Sequence, residues 1–456
     1  QTLFLSGYFS NTIDMNPGAP VNNLISAGNT DMFYARYDTS GNYISAMRIG
    51  GSNADAALFV KYEPLTGTIA LCGNFSGTVN FNPSGSVSNM TSSAGVSGAD
   101  LFFAKYSVSG SLIWVKQLGS SGAAISALDI ELDHLNPPNL FIAGFIECRS
   151  SMNSSIDLDP GIGSVNVGVN ASEGKQAFVS RYVFGNVASS GNYSWSGTYD
   201  SDGDDIISGL AVDTISNLLF LTGSFHESID INFSNSQNYS LTSSGGSDFY
   251  LACYNLSGPD FVYAVSTGGI ANDYSNGIDC GLNNSQFLCG QFTGTVDFAP
   301  GNYSAVFASA SGSEDAFITR FGKPCQPLIY SDILNEINIC PGQTYTILPS
   351  AGNVVSYYDA ATGGNYLGSG TSFTSPPLNV TTTYYFEDSL CYLDGRIAVP
   401  VNVRALPNLA IQSSGPLTFC AGGSVSLNGG AGSDLSYQWK KYGNLIAGAS
   451  DSVYVA

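Results

Sequence analysis

The sequence predicts an all-β protein, and three observations lead to this fold class. Charged residues make up only 11% of the 456 residues, whereas soluble domains commonly carry about 25%. Polarity comes instead from Ser, Thr, Asn and 53 Gly, residue types that favour turns and disfavour helices. Short apolar segments also alternate with a period of two, which is the period of a β-strand.

The charge balance excludes several classes of partner. Fourteen Lys and Arg against 35 Asp and Glu give a net charge of -21. The surface therefore repels the phosphates of nucleic acids and of anionic membranes. No apolar run reaches the length of about 18 residues that a membrane-spanning helix needs. We expect neither nucleic acid as a partner nor insertion into a membrane.

Five copies of one unit follow one another from the N-terminus. Each copy begins with an apolar strand that ends in Gly-x-Phe or a close variant, and successive glycines lie 66 to 79 residues apart. The copies start near residues 3, 69, 140, 219 and 287, and their glycines are Gly7, Gly73, Gly144, Gly223 and Gly290. Self-similarity of this kind is typical of repeat folds.

Each copy contains residues for four strands. A turn module such as IDMNPG at residues 13–18 follows the Gly-x-Phe strand, and a second strand such as DMFYARY at residues 31–37 comes next. A third strand, such as residues 112–119, and a fourth, such as residues 206–213, complete the unit. Four antiparallel strands per repeat are the signature of a propeller blade. We therefore predict an N-terminal β-propeller of about five blades over residues 1–324, as a closed or incomplete ring, with an open solenoid as the alternative.

Immunoglobulin-like β-sandwich domains are predicted after the repeats. Residues 325–405 carry alternating strands between Gly and Pro turns, which is a sandwich pattern. Cys340 and Cys391 lie near strand starts, so we expect a disulfide between the two sheets. Residues 406–456 repeat the opening of a sandwich but hold only its first half, which cannot bury its inner face alone. We therefore expect the natural chain to continue after Ala456.

The repeats and the downstream modules resemble known bacterial families. The Gly-x-Phe, VDFxPG and DAFxxRY series resembles secreted β-propeller repeats of Bacteroidetes. FCAGGSVSL, SYQWKK and IAGAS resemble the immunoglobulin-like or PKD-like modules of large adhesins from that phylum. The resemblance implies export, often by the type IX secretion route, and a role in surface display, adhesion, gliding or appendage building. The third copy departs from the pattern, since Gln176 replaces the Asp that opens the second strand.

Two sets of acidic residues are candidates for calcium binding, because Ca²⁺ takes about six to eight oxygen ligands. The first set contains the Asp of four turn modules: Asp14, Asp157, Asp230 and Asp297. The second set is the acidic run YDSDGDD: Asp200, Asp202, Asp204 and Asp205. The alternative for the first set is an Asx turn, in which the side chain caps its own backbone. The alternative for the second set is a solvated acidic turn.

The nine cysteines point to disulfides rather than to a metal. None lies in a CxxC pair, and the chain has only two histidines, His134 and His226, so a zinc site is not expected. Cys280 and Cys289 flank a predicted hairpin turn. A cross-strand disulfide between them requires the turn to centre on Asn284 and Ser285; otherwise the two thiols pack as small apolar groups.

Catalytic machinery is not predicted. A nucleophilic triad needs an orientable base, usually His, and neither His134 nor His226 lies near a Gly-x-Ser-x-Gly motif. The Glu residues that a glycosidase would use are scattered without a repeated context. We therefore expect no enzyme, no catalytic residue and no cofactor other than calcium.

These features together predict an extracellular structural or adhesive protein of the cell surface, part of a large adhesin or appendage. Its expected partners are other copies of itself, other surface proteins and glycans. The second hypothesis is a carbohydrate-binding propeller of a polysaccharide-utilising system, which measurable affinity on a glycan array would favour. A glycoside hydrolase is the third hypothesis.

Overall fold

The computed structural model divides the chain into two compact units, Gln1–Lys323 and Pro324–Ala456. It describes residues 2–95, 98–185, 191–199, 201–233, 238–281, 285–299, 304–321, 337–348, 355–388, 396–404, 410–430 and 435–456. Regular structure in these residues is almost entirely β-strand, with a short 3₁₀ helix at Ala310–Gly312. The predicted all-β fold class is therefore confirmed.

The first unit is built from strands rich in apolar side chains, and the central strands of its sheets are buried on both faces. In chain order they are β1 (Thr2–Asp14), β2 (Asn23–Asp38), β3 (Tyr43–Ile49), β4 (Asp55–Glu63), β5 (Thr68–Ser76), β6 (Thr78–Asn80), β7 (Asn89–Thr91), β8 (Ala99–Ser107), β9 (Leu112–Leu118), β10 (Ala123–Leu132), β11 (Asn139–Cys148), β12 (Ser154–Asp157), β13 (Asn166–Val169), β14 (Gln176–Val183), β15 (Tyr193–Tyr199), β16 (Ile206–Asp213), β17 (Leu218–Phe225), β18 (Ser228–Asp230), β19 (Ser240–Thr242), β20 (Asp248–Asn255), β21 (Phe261–Thr267), β22 (Tyr274–Cys280), β23 (Gln286–Thr293), β24 (Thr295–Asp297), β25 (Val306–Ala308) and β26 (Glu314–Phe321). Aromatic and β-branched residues are frequent among them, as is typical of β-strands.

These described strands form five main antiparallel sheets with one repeated topology. Sheet 1 is β1-β2-β3, sheet 2 is β4-β5-β8-β9, sheet 3 is β10-β11-β14-β15, sheet 4 is β16-β17-β20-β21 and sheet 5 is β22-β23-β26. In sheets 2 to 5 the turn module forms a separate two-stranded arm: β6-β7, β12-β13, β18-β19 and β24-β25. In sheet 1 the arm is a continuation of β1 and β2 beyond a bulge between Ser10 and Thr12.

A β-bulge explains the glycine of each Gly-x-Phe strand. In sheet 3 the first strand is bulged between Ala127 and Asp129, beside the position that pairs with Gly144. The carbonyl oxygen of Ser126 consequently lies only 2.0 Å from where a Cβ of Gly144 would stand. A backbone carbonyl stands equally close to the same glycine in the other bulged sheets: Gly73, Gly223 and Gly290. The repeat therefore requires a residue without a side chain at this position.

Successive sheets pack through one fixed pair of faces, which we name from sheet 2. Its front face carries Leu71 and Phe102, and this face packs on sheet 1 beside Tyr34. Its back face carries Cys72 and Phe103, and this face packs on the front face of sheet 3. Sheets 3, 4 and 5 continue in the same order. The described contacts thus join each sheet to the next along the chain, and closure into a ring stays a prediction.

The second unit begins with a five-stranded sheet of order β27-β33-β32-β29-β30 and a small β28-β31 pair. Its strands are β27 (Ile337–Ile339), β28 (Thr346–Ile347), β29 (Val355–Tyr358), β30 (Tyr366–Gly370), β31 (Phe373–Thr374), β32 (Thr382–Asp388) and β33 (Ile397–Val403). Strands β27 and β33 pair in parallel. Val355, Tyr357, Phe386 and Val401 form the centre of its buried core.

The last stretch of the chain has a smaller core. Its strands β34 (Gln412–Ser413), β35 (Ser426–Asn428), β36 (Lys440–Lys441), β37 (Asn444–Leu445) and β38 (Val453–Val455) form the sheets β34-β35-β38 and β36-β37. Val425 is buried there, whereas Leu417 and Tyr442 are exposed. Trp439 packs against Tyr454, with ring centroids 5.6 Å apart. Most apolar side chains described in this stretch therefore face outward.

Candidate functional site

The Asp of the turn module forms an Asx turn, the alternative to calcium binding that the sequence left open. Oδ1 of Asp157 accepts hydrogen bonds from the backbone N–H of Asp159 at 3.0 Å and of Val165 at 2.7 Å. The same pair of bonds, to residues two and eight or nine positions later, recurs in the other copies at Asp14, Asn80, Asp230 and Asp297. Neutral Asn80 accepts the same two bonds, so the turn needs an oxygen acceptor rather than a charge.

These bonds also affect ionisation. At the half-buried Asp297, hydrogen bonds from the N–H of Ala305 and Ala299 lower the pKa of the carboxyl below its usual range. The bonded form is the carboxylate, because an N–H donor stabilises the negative charge. The side chain is thus held in its ionised state by the turn that it closes.

We expect Asp157→Ala to destabilise the first unit by about 1 kcal/mol, because two backbone N–H groups lose their acceptor. Asp157→Asn keeps the Oδ1 acceptor that Asn80 supplies in sheet 2 and should unfold at nearly the urea concentration of the parent protein. Urea denaturation of the full chain, with and without added Ca²⁺, measures both effects. A stabilisation by Ca²⁺ that Asp157→Asn abolishes would instead establish a calcium site.

The acidic run does not gather its carboxylates around one point. Asp205 is buried and its Oδ1 accepts from the N–H of His226 at 3.1 Å and from Ser201 at 3.0 Å. Asp204 points elsewhere and forms an ion pair with Lys175 at 2.7 Å. Asp202 is exposed, and Asp200 lies outside the described residues. Within the described part of the chain, no group of three or more His, Cys, Asp or Glu is placed to hold a metal ion.

Burial makes the carboxyl of Asp205 an unusually weak acid. Loss of solvent raises its pKa to about 7, although the bonds from Ser201 and His226 act in the opposite direction. Burial is also the largest cause at three other carboxyls of the first unit, Asp55, Asp129 and Asp248, where it raises the pKa to about 6. These four carboxyls accept backbone N–H bonds. They therefore serve the fold, and their protonation should change its stability near neutral pH.

The register of the last sheet corrects the geometry assumed for a disulfide between Cys280 and Cys289. Cys280 pairs with Gln286, and Cys289 pairs with Gly277, so the two cysteines are offset along the ladder. Both thiols are free in the structure. The turn closes with a bond from Gly281 N–H to the carbonyl of Ser285, earlier than the assumed centre. For the other predicted disulfide, Cys340 lies just after β27, and its partner Cys391 lies outside the described residues.

The two histidines lie in separate surroundings. Nδ1 of His134 lies 2.8 Å from the buried carboxylate of Glu63. His226 follows β17, and its backbone bonds Asp205. Beside the first pair, Lys105 is buried and donates to the carbonyl of Phe184 at 2.8 Å. The contact between His134 and Glu63 and the bond from Lys105 to Phe184 each join segments of two successive sheets.

An open cleft of about 340 Å³ lies at the end of sheet 1. Its polar lining includes Asn16, Asn42 and Tyr43. The amide of Asn16 donates to the carbonyl of Pro20 at 2.5 Å, and that of Asn42 donates to Asp38 at 2.8 Å. The amides are thus used within the loops, and Tyr43 is the one aromatic ring that lines this cleft.

Two apolar surfaces at the ends of the row of sheets are exposed. Leu3 and Leu5, on the front face of sheet 1, are 53% and 48% exposed, and Ile318, on the back face of sheet 5, is 82% exposed. We call these surfaces the free front face and the free back face. The sequence did not predict them, since the repeats alone do not show whether the first and last units cover each other. Exposed apolar patches of this kind commonly mark interaction sites.

Comparison with known proteins identifies one segment of the chain. Residues 326–404 match the family described as Ig-like domain, CHU_C associated. No curated protein matches the chain. Among the described residues, no helix is long and apolar enough to cross a membrane. Immunoglobulin-like domains of this family are typically non-catalytic and suggest an extracellular or surface protein. The second unit therefore contains an immunoglobulin-like domain, as the sequence predicts for this part of the chain.

Proposed function

We propose that the protein is a non-catalytic structural or adhesive component of the cell surface, belonging to a large extracellular adhesin or appendage. The observation that carries this proposal is the immunoglobulin-like domain at residues 326–404. The low content of charged residues and the net charge of -21 fit an extracellular protein that avoids nucleic acids. The resemblance to secreted repeats of Bacteroidetes further supports export by the type IX route.

In this proposal the first unit is a β-propeller of about five blades that forms an incomplete ring, because the outer faces of sheets 1 and 5 are exposed. The repeated order of antiparallel strands within each sheet supports it, because each blade of a propeller is a small antiparallel sheet. The packing of every sheet on the next, through bulged first strands such as β10 and β16, also supports it. Such a head would present its loops and turn modules to a partner, while the immunoglobulin-like modules act as a stalk.

The structural use of the polar clusters supports a role without catalysis. Asp157 closes a turn, Asp204 pairs with Lys175, and His134 lies against Glu63. Each of these side chains bonds to a neighbouring segment of its own unit. A hydrolase would instead need carboxylates that converge on one open space.

Surface display is the first experiment. Intact cells are treated with a protease and labelled with an antibody against the first unit. Loss of the label and release of repeat fragments are expected. Full protection of the protein in intact cells, with cleavage only after lysis, would contradict the proposed location.

A glycan array with the purified chain tests the carbohydrate-binding hypothesis. We expect no binding above background. Binding that Tyr43→Ala abolishes, while Tyr442→Ala leaves it intact, would place a sugar at the cleft of sheet 1 and replace the structural role by a carbohydrate-binding one. Tyr442 is a suitable control because it is 94% exposed and belongs to the other unit.

A further inference from the structure

Four junctions between sheets repeat one packing rule. In each junction, the back face of one sheet meets the front face of the sheet that follows it in the chain. The front-face leucine or isoleucine is fully covered wherever a preceding sheet is present: Leu71, Ile142, Leu221 and Leu288 are all 0% exposed. The back-face residue at the middle of β2, β8, β14 and β20 is equally covered, because a sheet follows each of them: Tyr34, Phe103, Val179 and Leu251 are 0 to 2% exposed.

Sheets 1 and 5 carry the two members of this pair that lack a partner in the described structure. Leu5 occupies the front-face position of Leu71, yet it is 48% exposed. Ile318 occupies the back-face position of Leu251, yet it is 82% exposed, and its neighbour Phe287 is 43% exposed. Because both faces are open to solvent, they do not cover one another within the chain. The free front face and the free back face nevertheless carry residues at the same repeat positions as the faces that pack together in the four junctions.

A second feature, present at three of the four junctions, is a cation that crosses to the next sheet; sheet 4 has Cys253 at the position of the cation. The bonds run from Arg36 to the carbonyl of Val108 at 3.1 Å, from Lys105 to that of Phe184 at 2.8 Å, and from Arg181 to that of Ser257 at 3.1 Å. Each acceptor lies two or three residues beyond a Tyr that stands one residue before the end of β8, β14 or β20 in the next sheet. Sheet 5 carries Arg320 at the position of the cation, where it donates to Ser285 of its own sheet at 2.9 Å.

We propose that this protein assembles head to tail with copies of itself, the free back face of one copy packing on the free front face of the next. Ile318 and Phe287 then pack on Leu3 and Leu5 of the neighbouring copy. Arg320 reaches the carbonyl of Thr39, two residues beyond Tyr37, which holds the same position near the end of β2. The contact between two copies would thus be a fifth junction in which a back face packs on a front face. It joins two different surfaces, so it produces an open filament or a ring of copies rather than a two-fold dimer. The proposal depends on the first unit alone and not on where the protein is displayed.

Sedimentation velocity of the full chain over a concentration series tests the proposal. The average mass should rise above the 47.6 kDa of one chain as concentration increases. Ile318→Asp and Leu5→Asp should each raise the apparent dissociation constant by at least about tenfold, because a carboxylate would be buried in an apolar junction. Both residues are largely exposed in the single chain, so circular dichroism should show that the variants fold. Ile215→Asp, at a position that is 97% exposed outside both faces, should assemble like the parent protein.

A mixture of the two variants distinguishes this junction from other contacts. Leu5→Asp retains the back face and Ile318→Asp retains the front face, so the mixture should form a dimer containing one of each and stop there. Arg320→Gln should weaken assembly by about tenfold through loss of one charged hydrogen bond. A parent chain that stays monomeric at every concentration would overturn the proposal. So would assembly that survives either Asp variant, or a mixture that stays monomeric.

Discussion

Replacing Gly144 by Ala is expected to destabilise the first unit by roughly 3 kcal/mol or more, the largest loss we predict for a single methyl group. The added Cβ would lie 2.0 Å from the carbonyl oxygen of Ser126, which belongs to the bulged strand β10. A backbone carbonyl in a paired strand cannot turn aside without breaking the ladder. Sheet 3 packs on sheets 2 and 4, so the damage should spread to both neighbouring cores.

Gly7→Ala provides the matched control. Gly7 holds the same repeat position in sheet 1, where no bulged strand is described beside it. A Cβ at Gly7 would meet the side-chain ring of Phe33 at 2.7 Å, and a ring can shift more easily than a backbone. We expect a loss of about 1 kcal/mol. Urea denaturation followed by the fluorescence of Trp114 and Trp195 compares the two variants, and equal losses would contradict the role assigned to the bulge.

The first unit should be more stable at pH 5 than at pH 7.5, by on the order of 2 kcal/mol. Burial raises the pKa of Asp55, Asp129 and Asp248 to about 6 and that of Asp205 to about 7. Between these values and the unfolded value of 3.8, the folded state holds protons that the unfolded chain has released. Stability therefore falls as pH rises through this window. The growing negative charge of the chain acts in the same direction.

Lys105 opposes this trend in alkaline solution. Burial lowers its pKa to about 8, below the unfolded value of 10.5, so its own contribution to stability rises between these two values. Burial raises the pKa of the Cys253 and Cys280 thiols from 9.0 to about 12, so their contribution falls from about pH 9 upward and acts against that of Lys105. Asp205→Asn keeps the acceptor oxygen but removes the ionisation, so it should flatten the acidic limb. Denaturant midpoints at several pH values measure this dependence, and a midpoint that rises steadily from pH 5 to 7.5 would contradict it.

Much of the architecture could be predicted from the sequence, because residues at equivalent positions of the repeat form equivalent strands and occupy equivalent buried positions. The alternation in DMFYARY places Met32 and Tyr34 on one face, and the structure buries both against sheet 2. The immunoglobulin-like domain was also predictable from its Gly and Pro turns. The Asx turn was open as an alternative, and the substitution of Asn80 for Asp already favoured it.

The register of the last hairpin could not be predicted. The turn closes between Gly281 and Ser285, and no Asn-Gly or Asp-Gly pair in the sequence marks where it closes. Cys280 therefore pairs with Gln286 and Cys289 with Gly277, so the two cysteines are offset. The burial of Asp205 was equally hidden, because it stands in an acidic run that looks solvated while its neighbours Asp202 and Asp204 are in fact exposed. Only the packing of sheet 4 on sheet 3 distinguishes them.

The fixed pairing of front and back faces also bears on how such a chain can change in length. Deleting sheet 3 as a whole would bring the back face of sheet 2 against the front face of sheet 4, and these surfaces are of the same two types that already meet in every junction. Duplication of a sheet would likewise add one more junction of the existing kind. Gain or loss of complete repeats during evolution therefore does not require a new type of hydrophobic core between sheets. The number of sheets is free to vary while the chemistry between them is conserved.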